Sequence, residues 1–191
     1  MKKIVVLLLV GLLCACSNTN SEDIANNDIE YCGVGEDACE EEFNYDDFMT
    51  GENVFNPISF EEAINLFENK ESGIMYFGYS NCPWCIEAVP IMNEVAQNLG
   101  KEIYYVATRD SDRNQLYTEE ESEKILSYIG EYEDRDEEGN LHIYVPLVVV
   151  FEDGVCVSGN LGTVDSHDAH ERKMTEEEID QLTSIYQEMF K

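Results

Sequence analysis

A chain of 191 residues carrying 41 acidic and 11 basic side chains has a formal net charge of −30 at neutral pH. Such a surface repels phosphate and anionic headgroups, which argues against nucleic-acid binding and against electrostatic attachment to a membrane. We read the acidity as a solubility device rather than the mark of a cationic partner.

The chain opens with Lys2 and Lys3, followed by a ten-residue apolar run at residues 4–13. A bilayer span needs about 20 residues. A positive start and a short apolar run fit instead a secretory signal over residues 1–15. The segment 16–44 is rich in Asn, Asp, Glu, Ser and Gly and lacks apolar periodicity, so a flexible acidic linker is expected there. Residues 45–191 suffice for one globular domain. Within it, Ser59 and Glu62 have capping-box spacing, and Ala63, Leu66 and Phe67 share one face, which predicts a helix. Residues 73–79, GIMYFGY, read as a buried strand. Pro83 suits the first position of the next helix and Gly100 its stop, with Pro90 expected to kink it. KEIYYVATR is a strand. Thr118 with Glu121 caps a helix over 119–130, and a charged loop follows. Residues 143–162 read as two strands joined at EDG, an antiparallel hairpin. Thr175 with Glu178 caps a last helix. Early strands alternating with helices favour parallel pairing, and the final pair an antiparallel edge. The expected class is α/β, with a central mixed β-sheet flanked by helices.

Cys82-Pro83-Trp84-Cys85 falls where a strand gives way to a helix. Thiolate is the reactive form of cysteine, and a helix N-terminus, with its partial positive charge and unpaired N–H groups, favours it at Cys82. Cys85 is one turn further on the same face and can attack a mixed disulfide formed at Cys82. Trp84, between them, is expected to be partly exposed and to touch substrate; the alternative is packing on Tyr79 or near Pro146. Setting aside Cys14 and Cys16 at the signal leaves five cysteines, an odd number, so at least one is unpaired within the chain. Cys32 and Cys39 flank a loop with two glycines, and a structural disulfide is expected, with a second redox pair or two free thiols as alternatives. Cys156, between valines on a short strand, reads as a buried, inert thiol.

Two resemblances add to this. Leu13-Cys14-Ala15-Cys16 resembles the lipobox of bacterial lipoproteins, which implies cleavage before Cys16 and lipid on that cysteine; an ordinary signal cut after Ala15 is the alternative. The domain resembles the thioredoxin family in its Cys-X-X-Cys pair and in VPLVVVFEDGVCVSGNLG, where a β-branched residue and a proline precede a strand ending at Phe151, followed by Gly154 and Gly162. FGYSNCPWC further resembles the bacteriocin-transport accessory branch. The resemblance implies a thioredoxin-like fold over about residues 50–190 and a cis peptide at Pro146 beside the cysteines. It also implies a backbone platform for substrate at Val145. The chain departs from the pattern in two ways. The family's buried acid position is occupied by Tyr76, leaving water or another acid such as Glu87 to replace it. Between Cys85 and Pro146 lie 60 residues, with the surplus at 109–141.

A zinc site built from Cys82, Cys85, His167 and His170 has legal spacing, but the preceding strand, Pro83 and Val145-Pro146 favour redox chemistry. His167 and His170 are then expected on the surface, and His142 has no assigned role. The expected activity is that of an extracytoplasmic thiol–disulfide oxidoreductase. Cys82 is its accessible reactive sulfur, Cys85 its resolving sulfur, and Trp84, Val145 and Pro146 its substrate platform. No metal or organic cofactor is expected, since the Cys82–Cys85 pair is itself the redox group. Expected partners are cysteine-containing secreted proteins and a membrane redox protein. The protein is expected to be a monomer held at the outer face of the cell membrane by lipid on Cys16. The alternative is a thioredoxin-like adaptor that binds a secreted peptide or its transporter without redox turnover.

Overall fold

The computed structural model describes residues 43–191. The expected signal, the linker to residue 42, Cys16, Cys32 and Cys39 lie outside the described residues.

The element order is α1 (Tyr45–Thr50), β1 (Phe55–Ile58), α2 (Phe60–Glu68), β2 (Gly73–Gly78), α3 (Pro83–Leu99), β3 (Ile103–Ala107), α4 (Glu119–Ile129), a 3-10 turn (Gly130–Tyr132), β4 (Leu147–Glu152), β5 (Val155–Leu161) and α5 (Glu176–Met189). The five strands form one sheet in the order β1-β3-β2-β4-β5. β1, β3 and β2 run parallel, while β4 and β5 pair antiparallel. The mixed sheet is the one expected, with two additions. The sequence reading found neither α1 nor β1. β1 reads Phe-Asn-Pro-Ile with a single fully buried residue, Phe55, so it lacks a strand's alternation. Its Pro57 is tolerated because the strand lies at the sheet edge. α1 is six residues long, capped by the Asn44 side chain accepting from the N–H groups of Asp46 and Asp47.

Strand alternation divides the core in two. Ile74 and Tyr76 of β2 face one side, with Val89 and Met92 of α3 and Leu182 and Tyr186 of α5. Met75 and Phe77 face the other, with Phe60 and Phe67 of α2 and Ile125 and Ile129 of α4. Burying each of these large side chains contributes about 1.5–3 kcal/mol, and the sheet is sandwiched between the two helix pairs. The 109–141 segment is therefore not wholly a solvated insert, since Ile125 and Ile129 are fully buried against the sheet. Its two loops are each closed by an aspartate. Asp110 accepts from Asn114, and Asp136 accepts from Asn140 and pairs with His142.

The three anticipated capping boxes all form: Ser59 with Glu62, Thr118 with Glu121, and Thr175 with Glu178. Each is a local device worth about 1 kcal/mol. α3 runs through Pro90 as one element and stops at Gly100, whose φ of 63° is left-handed. The β4–β5 turn is Asp153-Gly154, with φ of 50° and 77°. Positive φ at both positions is what a type I′ two-residue hairpin loop requires.

Candidate redox site

β2 ends at Gly78, and four residues later Cys82 caps α3. Its backbone is extended, and its sulfur accepts the N–H of Cys85 at 3.2 Å. A serine, threonine or aspartate oxygen usually fills this post; here a sulfur does, with Pro83 at the first helical position. The first turn of α3 carries no acidic residue, whereas the first turns of α1, α2, α4 and α5 carry two or three each. In a chain this acidic, the positive end of α3 is left uncompensated where a thiolate would form.

The two cysteines, both free, differ in character. Cys82 is held below the ordinary thiol range. The hydrogen bond from the Cys85 thiol is the leading cause, burial opposes it, and the N–H groups of Cys85 and Trp84 assist. Cys85 is pushed well above that range by burial first, then by its hydrogen bond to Cys82 and the charge there. When the pair carries a single proton, these shifts favour it on Cys85 and the negative charge on Cys82.

The Val145–Pro146 peptide is cis. The Val145 carbonyl oxygen lies 3.7 Å from Cys82 Sγ, and the carbonyl of the buried Pro146 accepts the N–H of Gly162 at 2.7 Å. The structure thus brings Cys82, Cys85, Val145 and Pro146 together. It corrects the expectation of an accessible sulfur, because Cys82 is only 2% exposed. The sulfur is enclosed in the core cluster against which Tyr79, Trp84 and Val145 pack. A disulfide approaching Cys82 must displace some of these neighbours.

Trp84 is half-buried, and its aromatic partner is His170 rather than Tyr79. It meets His170 edge-on, with ring centroids 4.5 Å apart. His167, expected on the surface, is buried. Its Nε2 lies 3.2 Å from Oε1 of Glu87, and Oε2 of Glu87 accepts the Met174 N–H at 2.6 Å. Glu87 is therefore committed to the segment after β5. Among the described residues no group of three or more His, Cys, Asp or Glu is placed to hold a metal. Cys156, expected buried, is only half-buried because β5 is an edge strand, and burial followed by the Glu131 charge pushes its thiol up to about 12.

Sequence reasoning also missed what stands behind Cys85. The fully buried Tyr76 shares the core cluster of Cys85, and its hydroxyl hydrogen-bonds to Tyr45 Oη at 3.1 Å. Tyr105 stacks on Tyr76 with centroids 5.5 Å apart. Gly78 makes room for this phenol: a Cβ there would lie 1.9 Å from Tyr76 Oη.

The strand order, the cysteine pair at the start of α3 and the cis-proline opening β4 together define a thioredoxin-like fold. No protein-family model matches the chain, and no curated protein does. Among solved structures, thioredoxin O1 from Arabidopsis thaliana in the oxidized state aligns with 73% of this chain and 100% of its own at 17% identity, with a TM-score of 0.41. Thioredoxin O2 from the same plant aligns with 73% and 96% at 17% identity, TM-score 0.40. Mitochondrial thioredoxin 3 from Saccharomyces cerevisiae aligns with 56% and 83% at 17% identity, TM-score 0.35.

Proposed function

We propose that the protein is a thiol–disulfide oxidoreductase acting on cysteine-containing secreted or surface proteins from the outer face of the cell membrane. The observation that carries this reading is the division of labour between the two sulfurs. Cys82 caps α3, accepts the Cys85 N–H and is held below the ordinary thiol range, while Cys85 keeps the proton behind it. Cys82 attacks a substrate disulfide, or its own disulfide with Cys85 is attacked, and Cys85 resolves the mixed disulfide. The Val145 carbonyl beside Cys82 offers an acceptor to an extended substrate backbone, with Trp84 at the margin.

The short apolar start and the Leu13-Cys14-Ala15-Cys16 stretch support export and lipid attachment at Cys16. A lipid anchor suits a body whose charge is repelled by anionic headgroups. A membrane redox protein that resets the pair completes the cycle.

The deciding experiment is trapping. Cys85→Ala is expected to accumulate mixed disulfides through Cys82 in intact cells, and Cys82→Ala to accumulate none and to lose function. Equilibration of the pair with glutathione gives the direction of electron flow: a potential near about −120 mV marks an oxidant, and one near about −270 mV a reductant.

A second reading, an adaptor that binds a secreted peptide or its transporter without turnover, is favoured by one observation, the 2% exposure of Cys82. Full function of Cys82→Ala in cells would select it.

A further inference from the structure

We propose that Glu133 is a positioning residue for the substrate platform: by holding the Tyr144 N–H it fixes the Val145 carbonyl beside Cys82. The inference rests on the oxidoreductase reading of the cysteine pair and gives the 109–141 segment a part in presenting the substrate.

Residues 142–146 lead into β4 without belonging to a strand, so sheet pairing does not set the place of Val145. Hydrogen bonds fix it from either side. After it, the Pro146 carbonyl accepts the Gly162 N–H at 2.7 Å. Before it, the Tyr144 N–H donates to Oε2 of Glu133 at 3.0 Å. Between these two points the Val145 carbonyl oxygen lies 3.7 Å from Cys82 Sγ. The bonds of the preceding loop turn inward instead: Asp136 accepts the N–H groups of Glu138 and Asn140 and pairs with His142.

Glu133 is itself anchored. Its neighbour Tyr132 packs on β5 where Gly159 leaves room, since a Cβ there would lie 2.6 Å from the Tyr132 ring. The carboxyl is buried, with 8% of the residue exposed, and its Oε1 meets no hydrogen-bond partner among the described residues. Nor does it form an ion pair among them. A buried carboxyl with a single bond costs stability rather than adding to it. Such a group calls for an explanation other than stability, and its one bond goes to the residue before Val145. Burial favours its protonated form, which still accepts through the carbonyl oxygen.

The consequence is selective. A substrate whose backbone lies along Val145 needs that carbonyl in place, whereas a small disulfide without a backbone needs only Cys82. The test compares two probes on the reduced protein at neutral pH. One is dithiobis-nitrobenzoate. The other is a short uncharged cysteine peptide whose thiol is capped as the mixed disulfide with the same nitrothiobenzoate. With either probe the Cys82 sulfur forms a new S–S bond, the probe's S–S bond breaks, and its electron pair leaves on the coloured nitrothiobenzoate. Glu133→Leu fills the space and removes the acceptor. It is expected to slow the peptide reaction about fivefold and to leave the dithiobis-nitrobenzoate reaction within about twofold of wild type. Glu133→Gln keeps an acceptor for the Tyr144 N–H and is expected to restore the peptide reaction to within about twofold.

Equal losses on both probes, or no change on either, overturn the role, as does a Glu133→Gln protein that behaves like Glu133→Leu. Hydrogen exchange of the wild type needs no variant to fold: the Tyr144 amide is expected to be protected, and exchange at the rate of an open peptide overturns the role too. A wild type that takes dithiobis-nitrobenzoate but not the peptide overturns the platform, and this role with it. A wild type that takes neither overturns the oxidoreductase reading itself.

Discussion

His167 Nε2 lies 3.2 Å from Glu87 Oε1, joining the segment after β5 to the helix that carries both cysteines. Glu87 adds the Met174 N–H through its other oxygen, so one carboxylate bridges α3 to two points of the chain 80 and 87 residues away. Hydrogen bonds to a charged group contribute about 1.5–3 kcal/mol. Glu87→Ala is expected to lower stability by that order, read from the denaturant midpoint at neutral pH, while Glu87→Gln retains part of it. An unchanged midpoint in Glu87→Ala would show the bridge to be dispensable.

Gly78→Ala is expected to disturb the site from within the strand. The new methyl would sit 1.9 Å from Tyr76 Oη and 2.3 Å from its ring carbon, so the phenol must move. Overpacking of this kind costs about 1–3 kcal/mol. Chemical denaturation reads the cost, and tyrosine fluorescence reads the displaced ring.

Alkylation should separate the thiols by pH. Cys82 is held below the ordinary range, chiefly by its hydrogen bond from Cys85, so its iodoacetamide rate, slowed overall by burial, should reach half its alkaline plateau at a lower pH than that of an ordinary thiol. Cys156, pushed up to about 12 by burial and then by Glu131, should stay unmodified in the folded protein until strongly alkaline pH. Mass mapping of the labelled sites checks both. Preferential labelling of Cys156 at neutral pH would invert the assignment.

Glu133 gives a stability effect of opposite sign to an ion-paired carboxylate. Burial raises its pKa to about 8, only partly opposed by the bond from the Tyr144 N–H. The unfolded carboxyl ionises near its ordinary value of 4.5, so between there and about 8 folding takes up a proton. Stability from this group is fully present below the unfolded value and is lost as pH rises through the window. Glu133→Gln keeps an acceptor for Tyr144 and removes the titration. It is expected to be more stable than wild type at pH 8 by on the order of 1–3 kcal/mol and to show a flatter pH profile. Parallel pH profiles for the two proteins would refute this.

What could be read from sequence was local. The three capping boxes, the hairpin turn at Asp153-Gly154 and the placement of Cys82 and Cys85 at a helix start depend on residues within a few positions of one another. β1 escaped notice because Pro57 and a single buried side chain mimic a loop. The phenol pair Tyr45–Tyr76 and the Glu87–His167 bridge span 31 and 80 residues, and nothing in their spacing announces a contact. Cys156 misled for a related reason. Its flanking valines suggest a core strand, yet Val155 and Val157 are 64% and 51% exposed on an outer strand, and only the sheet order reveals that.

The acid-free first turn of α3 has a consequence for which molecules meet Cys82. Four other helices among the described residues begin with two or three carboxylates, so the sulfur pair sits at a helix start without carboxylates in a strongly anionic body. Fields from the surrounding charge extend about 8 Å at physiological salt. An anionic thiol such as glutathione is therefore expected to react with the pair faster as salt is raised, and an uncharged or basic peptide to lack that dependence.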